Sequence, residues 1–458
     1  MAAQIDSTIS TTAFQSTAEP LIIQVSEPTA AVYYKYRFIL VVKDSGGTTL
    51  ATLKTHYLSS TNRVAAFDIS RVLDDYLAPN LVNSNDVTAN VLTLGRTGFT
   101  PSKVLGTCYT DLVAREFTIE VGHENATGPT TDPVESLNED SLTLYAFRDE
   151  FVNDGEPYAR GAGEFQLAAP SRNFMSVAPD LGTRSAYGSA WGTVREHRIG
   201  LDQGYVLAFG AKDMTAVYMK VRAWDITGTL IATANIAIDT EGGETVPTTD
   251  AQNVQFFGCG PANLEEYGDA VSSVALQTIF DDPDLAYYEV YGSTSTSDSQ
   301  TFQDSVVHRF TIDNGCSKYP RIQLFFLNRH GGWDAFNFDQ RSEESFRNIE
   351  RSSYNRPRGN WDTITSLNQW TYSGWERGVT TTSVKAEKQV VVSTDYIDEG
   401  YADMLRDIAT SRSVFIVDGT NLIPVVVTDS EYLFKTSVND KLISYSFTLR
   451  YSNRPRLK

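Results

Sequence analysis

Cysteine is scarce: the 458 residues hold three, Cys108, Cys259 and Cys316. An odd number, widely spaced and without a C-x-x-C pair, builds neither a disulfide scaffold nor a zinc site, so all three are expected as packed small hydrophobes. Histidine is nearly as rare. His56, His123, His197, His308 and His330 are scattered, and none stands at helical spacing from another potential metal ligand. His308 lies in an alternating strand, Val306 to Ile312, where a structural role is expected, and His330 lies in a turn. No apolar run approaches the ~20 residues of a membrane-spanning helix, so direct membrane insertion is not expected. The opening Met-Ala-Ala-Gln-Ile-Asp-Ser-Thr has no basic residue and no apolar stretch, which points away from a signal peptide and toward synthesis in the cytoplasm. Positive charge is in deficit, with 38 Lys and Arg against 57 Asp and Glu and a net charge of −19. Such a field repels phosphate, and no compact basic tract offsets it, so no nucleic-acid partner is expected. The P-loop, the G-x-S-x-G elbow, H-E-x-x-H and the dinucleotide-binding glycine fingerprint are all missing. The chain is therefore expected not to be an enzyme and to need no cofactor and no metal.

Strand-forming residues are plentiful. Tyr and Phe number 23 each, beside many Thr, Ser and Val, a composition suited to pleated surfaces. The pattern predicts a mainly β chain: two divergent β-sandwich-like units plus a C-terminal β-sheet module with one packed helix. The expected divisions are a flexible polar arm over 1–20, a first β domain over 21–180, a second over 181–340, an Arg/Trp-rich connector over 341–382 and a β-α-β module over 383–458.

Within the first domain, Tyr34 to Val42 is a β-branched and aromatic run, Asp44-Ser45-Gly46-Gly47 supplies turn chemistry, and Thr48 to Tyr57 returns as a hairpin partner. A strand over Arg63 to Phe67 then precedes a helix signal, with Asp68 or Ser70 as cap and Ile69, Val72, Leu73 and Tyr76 at helical spacing. The same order recurs. Asp225 to Thr233 matches Asp44 to Thr52 at the Asp, the second Gly, the following Thr and the final Ala-Thr. Phe67 with Leu73-Asp74-Asp75-Tyr76 is echoed by Phe257 with Leu264-Glu265-Glu266-Tyr267. A hairpin, a strand and an L-acid-acid-Tyr segment in one order twice point to a divergent internal duplication.

Farther on, Tyr319 to Asn328 and Trp333 to Phe338 read as two strands joined at Arg329-His330-Gly331-Gly332, with Asn328, Gly331, Gly332 and Trp333 as the structural residues of the turn. Between Arg341 and Gly378 the composition shifts. Trp361, Trp370 and Trp375 lie among Arg351, Arg356, Arg358 and other arginines in an otherwise acidic chain. Arg and Trp are enriched at buried centres of protein interfaces, so these six residues are the candidate subunit contact. Beyond them, Ser383 to Ser393 reads as a strand, a helix follows from Asp395 with Tyr401, Met404, Leu405 and Ile408 on one face, and four more strands follow over Val414 to Val417, Leu422 to Thr428, Tyr432 to Thr436 and Leu442 to Tyr451.

Two carboxylates suffice for glycoside hydrolysis, so acidic pairs were weighed. Asp281-Asp282-Pro283-Asp284 reads as a solvated turn. Asp334 and Asp339 are expected on opposite faces of a strand. Glu343-Glu344 is a further acidic pair, and the acidic loop over Asp239 to Glu244 is a candidate for calcium that lacks EF-hand spacing; none of these is taken as a site.

The hairpin Phe326-Leu-Asn-Arg-His-Gly-Gly-Trp-Asp-Ala-Phe-Asn-Phe338 resembles a recurring F-L-N-R-x-G-G-W-D-x-F-x-F element of tailed-bacteriophage tail proteins. The final module, with Ser413 to Val417, Leu422 to Thr428 and Asn439 to Thr448, resembles the strand, helix and strand unit of distal-tail and tail-hub proteins. This resemblance covers about the last third of the chain. It implies a virion structural protein that forms a ring, a trimer or hexamer, joins other tail proteins near the tail tip, and is located in the virion tail. The alternative is a tail module that binds a host-surface glycan or receptor.

Overall fold

A computed structural model describes residues 3–6, 9, 14–18, 20–27, 34–58, 63–77, 107–110, 114–148, 165, 167–169, 171, 173–184, 193–210, 215–238, 240–241, 244–245, 254–297, 302–313, 318–355, 360–362, 369–371, 378–419, 421–429, 443–452 and 456–457. The chain is mainly β, as its composition implies.

The first unit packs a small sheet on a large one. In the large sheet the order is Phe14–Ser16, Val134–Phe147, Ala114–Ala126, Tyr34–Asp44 and Thr49–Thr55; the first pair is parallel and the rest antiparallel. Ile22–Glu27 pairs with Arg63–Asp68 in the small sheet. Alternation decides what each strand buries: Ile23 and Val25 are inside while Ile22 and Gln24 face solvent. They meet Phe38, Leu40, Val42, Phe117 and Ile119 from the large sheet, and helix α1 (Ser70–Tyr76) adds Leu73. Asp68 Oδ1 accepts from Ser70 N and Ser70 Oγ, fixing the entry to α1.

The second unit repeats this path. Its large sheet runs Asp180–Arg184, Thr193–Ile199, His308–Ile312, Leu285–Ser293, Tyr218–Asp225 and Leu230–Ala237, with Thr193–Ile199 and His308–Ile312 parallel and the other pairs antiparallel. Val206–Gly210 and Val254–Gly258 form the small-sheet pair, and helix α2 (Pro261–Ala270) follows with Leu264 buried. Each unit thus runs parallel-paired strand, small-sheet strand, hairpin, small-sheet strand, helix, then two large-sheet strands, and these five large-sheet strands share one spatial order. Even the turns coincide. Thr48 N and Thr229 N donate to the Oδ1 of Asp44 and Asp225, Gly47 N and Gly228 N to the carbonyls of the same aspartates, and Gly47 and Gly228 have φ of 81° and 80°. That left-handed backbone is what glycine supplies there. Among the described residues, several elements have no counterpart in the first unit, including the edge strand Asp180–Arg184 and the short pair of Thr240–Glu241 with Glu244–Thr245. Helix α3 (Val274–Phe280) packs near Leu230–Ala237, and Thr107–Thr110 adds an outer strand to Val254–Gly258, tying the two units together.

The third body is a curved sheet in the order Trp333–Phe338, Ile322–Leu327, Val414–Asp418, Asn421–Val427, Ser446–Tyr451, Val379–Ser393 and Glu343–Asn355, with Arg456–Leu457 also on Val379–Ser393. Helix α4 (Ala402–Thr410) buries Met404, Leu405 and Ile408 against Leu324, Phe326, Val392 and Leu449.

Three expected divisions do not follow the pairing. The boundary at 340 cuts this sheet, because Ile322–Leu327 is apolar on both faces: Leu324 and Phe326 enter the α4 core, while Phe325 and Leu327 enter the core of the second unit. The first twenty residues are not simply an arm. Ala3 is fully buried, Gln4–Ile5 pairs with Ile22–Glu27, and Ala3 N and Ile5 N donate to Glu139 and Asp140. Nor is 341–382 only a connector, since Glu343–Asn355 is a long strand paired with Val379–Ser393. The expected strand over Tyr432 to Thr436 and Cys316 lie outside the described residues.

Candidate assembly surface

Where the third body meets the second unit, the Phe326–Phe338 hairpin acts as a brace. Gly331 has a φ of 76°, and a Cβ on Gly332 would sit 2.1 Å from the Met175 carbonyl oxygen, so neither site accepts a side chain without strain. Asn328 is fully buried; its Oδ1 accepts from His330 N and Gly332 N, and its Nδ2 donates to Met175 O and to Asp334 Oδ2. Asp334, equally buried, also accepts from Ser176 Oγ at 2.7 Å, Val177 N at 2.9 Å and Tyr205 Oη at 2.6 Å. Burial raises its pKa and these four donors oppose the rise. Trp333 stacks on Phe325 with centroids 5.0 Å apart. A carboxylate occupied by four donors is a crosslink between segments, and its neighbour Asp339 is engaged elsewhere, with Arg321 at 3.1 Å. Asp281, Pro283 and Asp284 are exposed in a turn. Among the described residues no group of three or more His, Cys, Asp or Glu is placed to hold a metal.

Parallel pairing brings together two histidines that lie 111 residues apart. His197 Nε2 and His308 Nδ1 are 2.9 Å apart, and His308 Nε2 is 3.3 Å from Asn173 Oδ1. The bookkeeping assigns a relay in which His197 Nε2–H donates to His308 and His308 Nε2–H donates to Asn173, with both rings neutral. Burial, aided by Arg195, pushes His197 down to about 3, and burial holds His308 well below its usual value. Phe310 stacks on His197 at 4.5 Å, so the pair is enclosed by aromatics.

The remaining feature is open to solvent. Among the described residues, Glu343–Asn355 is the last strand of its sheet, with pairing on one side only. Val379–Ser393 is backed by Ser446–Tyr451 from Gln389 to Ser393 and by Arg456–Leu457 at Val384 and Lys385. Beyond that, Ser353–Asn355 and Val379–Thr381 pair only with each other among the described residues, so the two strands leave the sheet as a ribbon. Phe346 is 68% exposed, Val379 64%, Tyr354 50% and Trp370 46%. Glu350 pairs with Lys385 and Glu344 with Lys388, while Arg347 and Arg351 are exposed.

Of the six candidate contact residues, Arg351 is on this ribbon and Trp370 is on a separate short strand pair in the chain between its two strands, directly opposite Trp361 in register. The Trp361 side chain is not described, and Trp375, Arg356 and Arg358 lie outside the described residues. Phe346 and Tyr354 were not singled out in the sequence; large aromatics isolated in a polar run were the available signal.

No family model matches this chain. No curated protein matches it either.

Proposed function

We propose that this chain is a structural subunit of a bacteriophage tail, which assembles with copies of itself into a ring near the distal tail or tail hub, and that the ribbon is its subunit contact. The supporting observation is the ribbon itself. A two-stranded ribbon is marginal in water on its own, and this one exposes Phe346, Tyr354 and Val379, with Trp370 exposed on a separate short strand pair in the chain between its two strands. A long exposed edge strand is a template for pairing with another chain. The Phe326–Phe338 hairpin, with its resemblance to tail proteins, supports the placement, and its buried brace gives the ribbon a rigid base. Light scattering on the purified chain and imaging of its particles test this: a ring of three or six copies is expected, and a strict monomer at all concentrations contradicts it. A second function is favoured only by Trp370, an exposed ring able to stack on sugar. Glycan binding by the monomer that is lost in Trp370→Ala would select it instead.

A further inference from the structure

We infer that the ribbon of one copy docks, through its arginines, into an acidic groove at the foot of the ribbon of a second copy; this rests on the ring-forming function proposed above and names the partner surface. The groove lies between the second unit and the third body. Phe336, Tyr401 and Met404 form its apolar floor. Asp395 and Asp398 line it beside Arg198, with Glu196, which accepts from Thr311, on the same wall and Asp339 matched to Arg321. Its volume is about 70 Å³. That is room for the head of one side chain, well below the ~300 Å³ at which small-molecule pockets begin.

An independent observation marks the groove as incomplete. Tyr401 is 5% exposed, and its hydroxyl has no hydrogen-bond partner among the described residues. Burial pushes that hydroxyl up to about 12, with Glu196 and Asp398 adding to the rise and Arg198 opposing it, which places it among the groove's charged walls. Burying a hydroxyl without a hydrogen-bond partner is unfavourable. A guanidinium arriving from outside would donate to the Tyr401 oxygen and to the carboxylates while its stem lay on the apolar floor.

The chain contains a matching donor. Residues 345–361 carry four arginines and one glutamate, a net +3, whereas the rest of the chain carries −22. The ribbon cannot serve its own groove. The groove begins at Thr394, immediately after the strand that ends at Ser393, and Arg351 lies opposite Val384. At ~3.3 Å per residue, Arg351 is about 30 Å up a rigid strand from its own groove. Donor and acceptor are therefore different surfaces of one chain, and such a head-to-tail contact builds a ring when its rotation closes.

The test is sedimentation velocity on the full-length chain at low and high salt, with circular dichroism to verify folding. Arg347, Arg351 and Asp395 are all exposed, so charge reversal leaves the core intact. The expected result is that wild type assembles, that R347E/R351E and D395R each weaken association at least tenfold, and that the combined variant regains part of the loss. Assembly unchanged in either variant overturns the docking inference while leaving the ring-forming function in place. A wild type that stays monomeric removes both.

Discussion

Asn328 Nδ2 donates to Asp334 Oδ2 over 2.7 Å with both side chains fully buried, so the Phe326–Phe338 hairpin carries the acceptor on which Ser176, Val177 and Tyr205 also converge. Asp334→Asn presents an amide N–H₂ to groups that are themselves donors. The expected loss is about 2–4 kcal/mol of stability. Ser176→Ala, which removes one donor and leaves three, is expected to cost about 1 kcal/mol. Urea midpoints for the two variants measure both, and equal effects would contradict the crosslink.

The matching turns of the two units make a paired prediction. Gly47 and Gly228 share the left-handed backbone and the same hydrogen bonds to Asp44 and Asp225. Gly47→Ala and Gly228→Ala are each expected to destabilise by about 1–2 kcal/mol. Thermal unfolding of each variant checks that the two losses agree; a neutral change at one site alone would break the equivalence.

The histidine pair sets an acid limit. Because the folded-state pKa of each ring is depressed, the unfolded chain binds protons that the folded chain refuses, and stability falls as pH drops below 6.5 toward about 3. Between pH 6.5 and 5 the pair accounts for up to about 4 kcal/mol. Denaturant unfolding across that range measures the slope, and replacing both rings with Phe should flatten it.

Asp407 works in the opposite direction. Burial raises its pKa to about 7, although Arg329 lies 3.4 Å from its carboxylate. The folded chain holds this proton more tightly, so the contribution is full below about pH 4 and is lost as pH rises through 7. Asp407→Asn is expected to remove that loss, visible as a smaller fall in melting temperature between pH 5 and 8.

Local chemistry made much of the fold legible in the sequence. The D-x-x-G-T turns, the Leu73 and Leu264 helices and the apolar run of Ile322–Leu327 all signal within a few residues of themselves. The His197–His308 pair was invisible because parallel pairing joins strands that are separated in the chain by a hairpin, two helices and several further strands. Glu343–Asn355 escaped for a different reason. A ribbon wet on both faces has no alternation of apolar and polar residues, so E-E-S-F-R-N-I-E-R-S-S-Y-N reads as loop until its partner strand is known. Ile322–Leu327 was recognised as a strand but assigned to the wrong body, since a strand buried on both faces does not reveal which core it belongs to.

The central claim is that the ribbon joins copies of this chain into a closed ring. Imaging of the purified full-length protein, with its mass in solution taken from light scattering, tests it most directly. The account predicts closed rings of three or six copies that dissociate in the R347E/R351E variant. A wild-type chain that remains monomeric at every concentration would contradict it.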